Sequence, residues 1–154
     1  MRWIRRKTRR WLEAALLSVL LAVTAATIAL ANEPAPAFRV VVHPENAATS
    51  LSREFLTDAF LAKTKRWPNG DVISPVDLRF GTPARARFSE QVLRRSVFAV
   101  KAYWHQRIFA GRGVPPPELD TDEAVMRYVA SRRGAVGYVS GQATTASVKA
   151  VAVH

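Results

Sequence analysis

The chain has 154 residues, 23 Lys and Arg against 12 Asp and Glu (formal charge +11), and is 49% hydrophobic. That length suits one domain, and that apolar content excludes a disordered or collagen-like chain. The lack of cysteine excludes a disulfide scaffold, a thiolate zinc or iron–sulfur site and a cysteine nucleophile.

The charge is unevenly placed. Before Asn32, Arg2, Arg5, Arg6, Lys7, Arg9 and Arg10 are opposed only by Glu13, leaving 17 basic and 11 acidic residues from there on. Ala14 to Ala31 is an 18-residue run without a charge, ending Ala29-Leu30-Ala31 and followed by Asn32-Glu33-Pro34. A cationic head, an apolar stretch and a small-x-small close predict a signal peptide over 1–31, cleaved after Ala31, and hence an exported, periplasmic protein. The rival reading is a retained N-terminal membrane anchor, because a run of this length reaches the lower limit for a span. Thr8-Arg9-Arg10-Trp11-Leu12 resembles part of a twin-arginine export signal, with Glu13 departing from the basic residue usual there.

Residues 32–37 read as a polar, proline-containing arm, and 38–153 as a single domain. Phe38 to His43 is a β-branched run closed by Pro44, which predicts a buried strand. Ser52 caps a helix carrying Phe55, Leu56, Ala59 and Phe60, with Leu51 and Leu56 at the positions of a hydrophobic staple. Trp67-Pro68-Asn69-Gly70 is a turn. Asp71 to Leu78 is a strand interrupted by Pro75. Thr82 caps and Pro83 opens a helix running to Arg95. Ser96 starts a further helix with Val97, Val100, Trp104 and Ile108, which Gly111 ends. Asp120 and Glu123 form an acidic capping box for a helix through Val129. Arg132 and Arg133 favour its C-terminal dipole and Gly134 closes it. Ala135–Val139 and Val148–Val153 are the last strands. This β-α-β-α-α-α-β-β order is an α/β layer fold. The expected core includes Val40, Val42, Phe60, Phe88, Val92, Trp104, Ile108, Val129 and Val136, with Tyr103 and Phe109 also on the core side by helical spacing.

Several stretches in order resemble the substrate-binding proteins of phosphate ABC transporters. They are Ser50-Leu51-Ser52 before Phe55-Leu56 and Ala59-Phe60; Lys63 and Trp67-Pro68-Asn69-Gly70 before Ile73-Ser74-Pro75-Val76; Phe88; Tyr103-Trp104 with Phe109-Ala110-Gly111; and Gly134-Ala135-Val136-Gly137-Tyr138-Val139. The resemblance covers about Phe38 to Val153 and matches mainly the second of that family's two lobes. It implies a single lobe of a periplasmic-binding-protein (type II) fold, a mixed sheet flanked by helices. It also implies a small oxyanion such as phosphate as ligand, and a membrane transporter or sensor as partner. In the family, Pro-Val is followed by an Arg and then a Ser-Gly-Thr turn that holds phosphate at a helix start. This chain has Leu78 and Thr82-Pro83-Ala84 there, and Pro83 deletes an N–H donor.

The oxyanion site expected from that position is Gly81, Thr82, Ala84 and Arg85, with Arg79 and Arg87 nearby. A helix start carries unpaired N–H groups and about half a positive charge. The competing reading is an ordinary capped helix with solvated arginines. No catalytic residues are assigned, because no nucleophile–base pattern or nucleophile elbow is present. No metal site or cofactor is expected, since His43, His105 and His154 lack ligand spacing and no phosphate loop or dinucleotide fingerprint occurs. The scattered charge of the mature region does not suit nucleic acid. Two functions stay open: an exported binding module for a small oxyanion, or an envelope interaction module on the same fold that binds no small ligand. The oligomeric state is open.

Overall fold

A computed structural model describes residues 36–154; the predicted signal peptide, and the arm up to Ala35, lie outside the described residues. The apolar run opens this region as β1 (Phe38–Val42). β1 is central in a five-stranded sheet of order β2-β7-β1-β6-β3, with β2 at Ser50–Leu51, β3 at Ser74–Pro75, β6 at Ala135–Ser140 and β7 at Lys149–Val153. β1 is antiparallel to both β6 and β7, while β2 joins β7 and β3 joins β6 in parallel. Successive side chains point to opposite faces of the sheet, and Val40, Val41 and Val42 are all fully buried, so both faces are covered here and the run reads as continuous rather than alternating.

The helices follow their caps. In α1 (Arg53–Phe60) the Ser52 hydroxyl accepts the Phe55 N–H at 3.1 Å, and Leu56, Ala59 and Phe60 face inward. In α3 (Val97–Phe109) Ser96 accepts from Ala99 at 3.2 Å, and Gly111 (φ 65°) closes the helix with its N–H on the Ile108 carbonyl. α2 (Pro83–Gln91) stops short of Arg95, because Arg94 turns to φ 54°. Thr82 holds its N-cap position without capping: its hydroxyl donates to the Arg79 carbonyl at 3.1 Å.

The cap of α4 (Asp122–Ala130) is Thr121, which accepts from Ala124 at 3.2 Å. Asp120, expected in that role, instead pairs with Arg79. Asp122 accepts hydrogen bonds from the Ser140 N–H and hydroxyl, tying the start of α4 to the end of β6. α4 closes at Ser131, not Gly134; the Gly134 carbonyl accepts the Trp67 indole N–H at 3.0 Å and the Ser74 N–H at 2.9 Å. Arg133 pairs with Glu45 at 2.7 Å.

The predicted strand over Asp71–Leu78 is divided. Ser74–Pro75 pairs with β6, whereas β4 (Asp77–Leu78) pairs in parallel with β5 (Glu118–Leu119). Val76 N–H still reaches the Val136 carbonyl, and Asp77 N–H reaches that of Pro117, both at 2.9 Å. The two-residue strands β2 and β5 fall where no strand was expected; elements this short leave no periodicity to read.

Phe88 stacks on Tyr138 with ring centroids 4.0 Å apart, and Phe60 and Phe38 meet Phe88 at 4.8 and 5.5 Å. Burying each such ring contributes about 1.5–3 kcal/mol. Of the residues expected in the core, all are buried except Tyr103, which is half-buried, and the pair Ile108 and Phe109, which are 47% and 90% exposed. Both lie at the open end of α3, beyond the last turn that Trp104 anchors. Gly137 is needed where β6 is approached from both sides: a Cβ there would sit 2.7 Å from Val76 Cγ1 and 2.9 Å from Val125 Cγ1.

Candidate functional site

β4 and the start of α2 converge on one buried polar cluster. Asp77 is a lone carboxylate between Val76 and Leu78, 6% exposed. A buried charge of this kind needs a partner, and Arg85, itself 5% exposed, provides it. Arg85 projects from the first turn of α2 back under β4. Its Nη2 lies 3.2 Å from Asp77 and its Nη1 2.9 Å from Glu118 of β5. Nη1 also donates to the Leu78 carbonyl. From β6 the Tyr138 hydroxyl donates to Asp77 and accepts the Leu78 N–H at 3.4 Å. Arg85 Nε has no partner among the described residues.

Burial pushes the Asp77 carboxyl up to about 6, against the pull of Arg85 and Tyr138, which favour the charged form. Burial and the neighbouring Asp77 charge hold the Tyr138 hydroxyl far above its usual value, so it stays a neutral donor.

The expected oxyanion residues can now be placed. Gly81 supplies the turn before α2 at φ 91°. Thr82 spends its hydroxyl on the Arg79 carbonyl. Ala84 is buried, and the amides of Ala84 and Arg85 make no backbone hydrogen bond outside α2. Of the three arginines round this turn, Arg79 pairs with Asp120 at 3.5 Å and Arg87 with Glu90 at 3.6 Å, and Arg85 is held by two carboxylates. The solvated-arginine reading is therefore wrong for Arg85. The cluster brings Arg85 together with Asp77, Glu118 and Tyr138, none of which was expected at the site from the sequence. Asp77 left a signal, a single charge inside an apolar strand; Glu118, after three prolines, left none.

A cleft of about 230 Å3 opens beside the cluster. Its walls include Phe80, Arg85, Lys101, His105, Ile108 and Pro116. Among the described residues, no group of three or more His, Asp or Glu side chains is placed to hold a metal ion, and no helix is long and apolar enough to cross a membrane.

No protein-family model matches the chain, and no curated protein does. Solved structures match it. An ABC-type phosphate transport receptor from Vibrio cholerae superposes with a TM-score of 0.59 at 20% identity over 76% of this chain and 46% of that one. A protein from Clostridium perfringens assigned as a phosphate ABC transporter substrate-binding protein, with phosphate bound, gives 0.61 at 21% identity over 76% and 44%. PstS from Borrelia burgdorferi gives 0.59 at 10% identity over 77% and 47%. The fold is thus that of a single lobe of a periplasmic binding protein, and the chain spans less than half the length of each of these structures.

Proposed function

We propose that the protein is an exported, non-catalytic module of the substrate-binding type, and that it works by binding a protein of the cell envelope, a transporter or sensor component, rather than by gripping free phosphate. The observation that carries this reading is the closed ion-pair cluster. Arg85 is the arginine that the fold holds beneath the helix start, and Asp77 and Glu118 already neutralise it. Removing it from them would leave a buried carboxylate unpaired. The single lobe also supports the reading. High affinity for a small ligand comes from burying it in a concave site, and one lobe provides one wall.

A second reading, weak oxyanion binding at Gly81, Thr82, Ala84 and Arg85, is favoured by the two amides at the start of α2 that make no backbone bond outside it. At a solvent-facing helix end, water reduces charge–charge attraction to about 1 kcal/mol at 4 Å. Affinity for phosphate is then no better than about millimolar, roughly −4 kcal/mol. Thermal melts with phosphate and sulfate test both readings. At millimolar affinity, phosphate at about 1 mM raises the melting temperature by no more than about 2 °C; a micromolar binder would gain about 4 kcal/mol, more than about 10 °C. The larger shift would overturn the interaction reading.

Export is part of the proposal, with the mature chain beginning at Asn32 and its domain over 38–153. Intact-mass analysis of the exported protein tests it. A full-length species retained in the membrane would favour the anchor instead.

A further inference from the structure

α3 has two apolar faces. Val100 and Trp104 enter the core. On the opposite side Phe98, Ala102, His105 and Phe109, apolar but for His105, recur at intervals of four, three and four residues, all exposed, with Phe98 73% and Phe109 90% exposed. Solvent faces of helices ordinarily carry charge. Apolar residues at this spacing make a seam against a second helix. Phe80 widens the seam, packing edge-on against Phe98 with ring centroids 5.3 Å apart. Phe80 also forms one wall of the 230 Å3 cleft, with Lys101, His105 and Ile108 from α3. Ridge and cleft therefore lie side by side, and the cleft admits one large side chain, the arrangement of an anchored protein contact.

Charge selects the occupant. Exposed Lys101 flanks the ridge and exposed Arg94, Arg95 and Arg112 lie at the two ends of α3, while the two carboxylates that line the cleft, Asp77 and Glu118, are already paired with Arg85. Two such faces repel one another, so a second copy is disfavoured, whereas a carboxylate-bearing surface is attracted. A bilayer would meet the ridge but leave the recessed cleft empty. We propose that the outer face of α3, with the cleft beside Phe80, docks an acidic amphipathic helix of a partner protein, which seats a large apolar side chain in the cleft. This rests on the interaction reading above and names its surface and the chemistry of its partner.

The test places p-benzoylphenylalanine at Phe98 or Phe109 of the full-length protein in its own cells, with exposed Asp71 as control. After irradiation, the attached peptides are sequenced by mass spectrometry. The expected product, at both positions and not at the control, is one protein segment with net negative charge and a large apolar residue. Lys101→Glu should cut its yield about fivefold or more while leaving the urea midpoint unchanged. Attachment to a second copy, to phospholipid, to a neutral or basic segment, or no product above the control would overturn the proposal. So would co-sedimentation with vesicles containing about 30% phosphatidylglycerol that Phe109→Ser abolishes. Phosphate melts on the same protein separate the two ideas. A large phosphate shift with the acidic product retained removes the claim that free phosphate is not gripped and leaves the docking face. A small shift with no product removes the face alone.

Discussion

Arg85→Met tests whether the guanidinium belongs to the fold or to a ligand. Met keeps the volume of the stem, so the main loss is charge and hydrogen bonds. Asp77, 6% exposed, would keep only the Tyr138 hydroxyl as a side-chain donor. Breaking a buried pair by removing one partner costs about 3–5 kcal/mol, so a loss of that size is expected at pH 7.5. The sign with pH follows from Asp77. In the wild-type fold its carboxyl rises from 3.8 to about 6, so between those values the folded state holds a proton that the unfolded state releases. Burying the charged form therefore costs up to about 3 kcal/mol above pH 6, relieved as pH falls toward 3.8. Without Arg85 the carboxyl rises further, and protonation relieves more. Urea denaturation of wild type and Arg85→Met should show the difference between them shrinking from pH 7.5 to pH 5. A loss below about 1 kcal/mol, or one that does not change with pH, would show that the fold does not depend on the pair and that Arg85 is free to hold an anion.

Asp77→Asn should flatten the fall in stability that wild-type Asp77 contributes between pH 4 and 6, read from urea midpoints across that range. Trp104→Ala should cost about 3–5 kcal/mol in denaturation, since the indole is 5% exposed. Gly137→Ala should cost about 1–3 kcal/mol through overpacking against Val76 and Val125, and Val125→Ala in the same chain should recover part of that loss. Phe109→Ser, at a 90% exposed position, should leave the urea midpoint within about 0.5 kcal/mol of wild type.

The long elements were legible in the sequence because their signals are local. Val40 to Val42 declare a buried strand by composition, and Ser52 and Ser96 start helices by capping chemistry that needs only the next three residues. The departures are non-local. Asp120 yields the cap to Thr121 because Arg79, far along the chain, takes its carboxylate. Asp71–Leu78 divides because Asp77 finds Pro117 and β5 across the fold. The site was legible only as a position. The turn at Gly81-Thr82-Pro83 was identifiable, but the partners of Arg85 come from two strands, with Tyr138 holding Asp77 from a third, and no spacing rule joins Asp77, Glu118 and Tyr138. Ile108 and Phe109 fit the apolar period of a core helix and are exposed, a pattern that reads the same whether the covering surface is the protein's own core or another molecule.

The strand order has a kinetic consequence. β1 is the first strand of the described region, and both its neighbours, β6 and β7, lie beyond residue 134. Until that distant stretch has been delivered, Phe38–Val42 is an apolar strand with two open edges, the kind of segment that joins other chains. Folding is therefore slow relative to a helical domain of this size, because the central pairing closes loops of about a hundred residues. During that interval the chain depends on dilution or a holding chaperone to stay single.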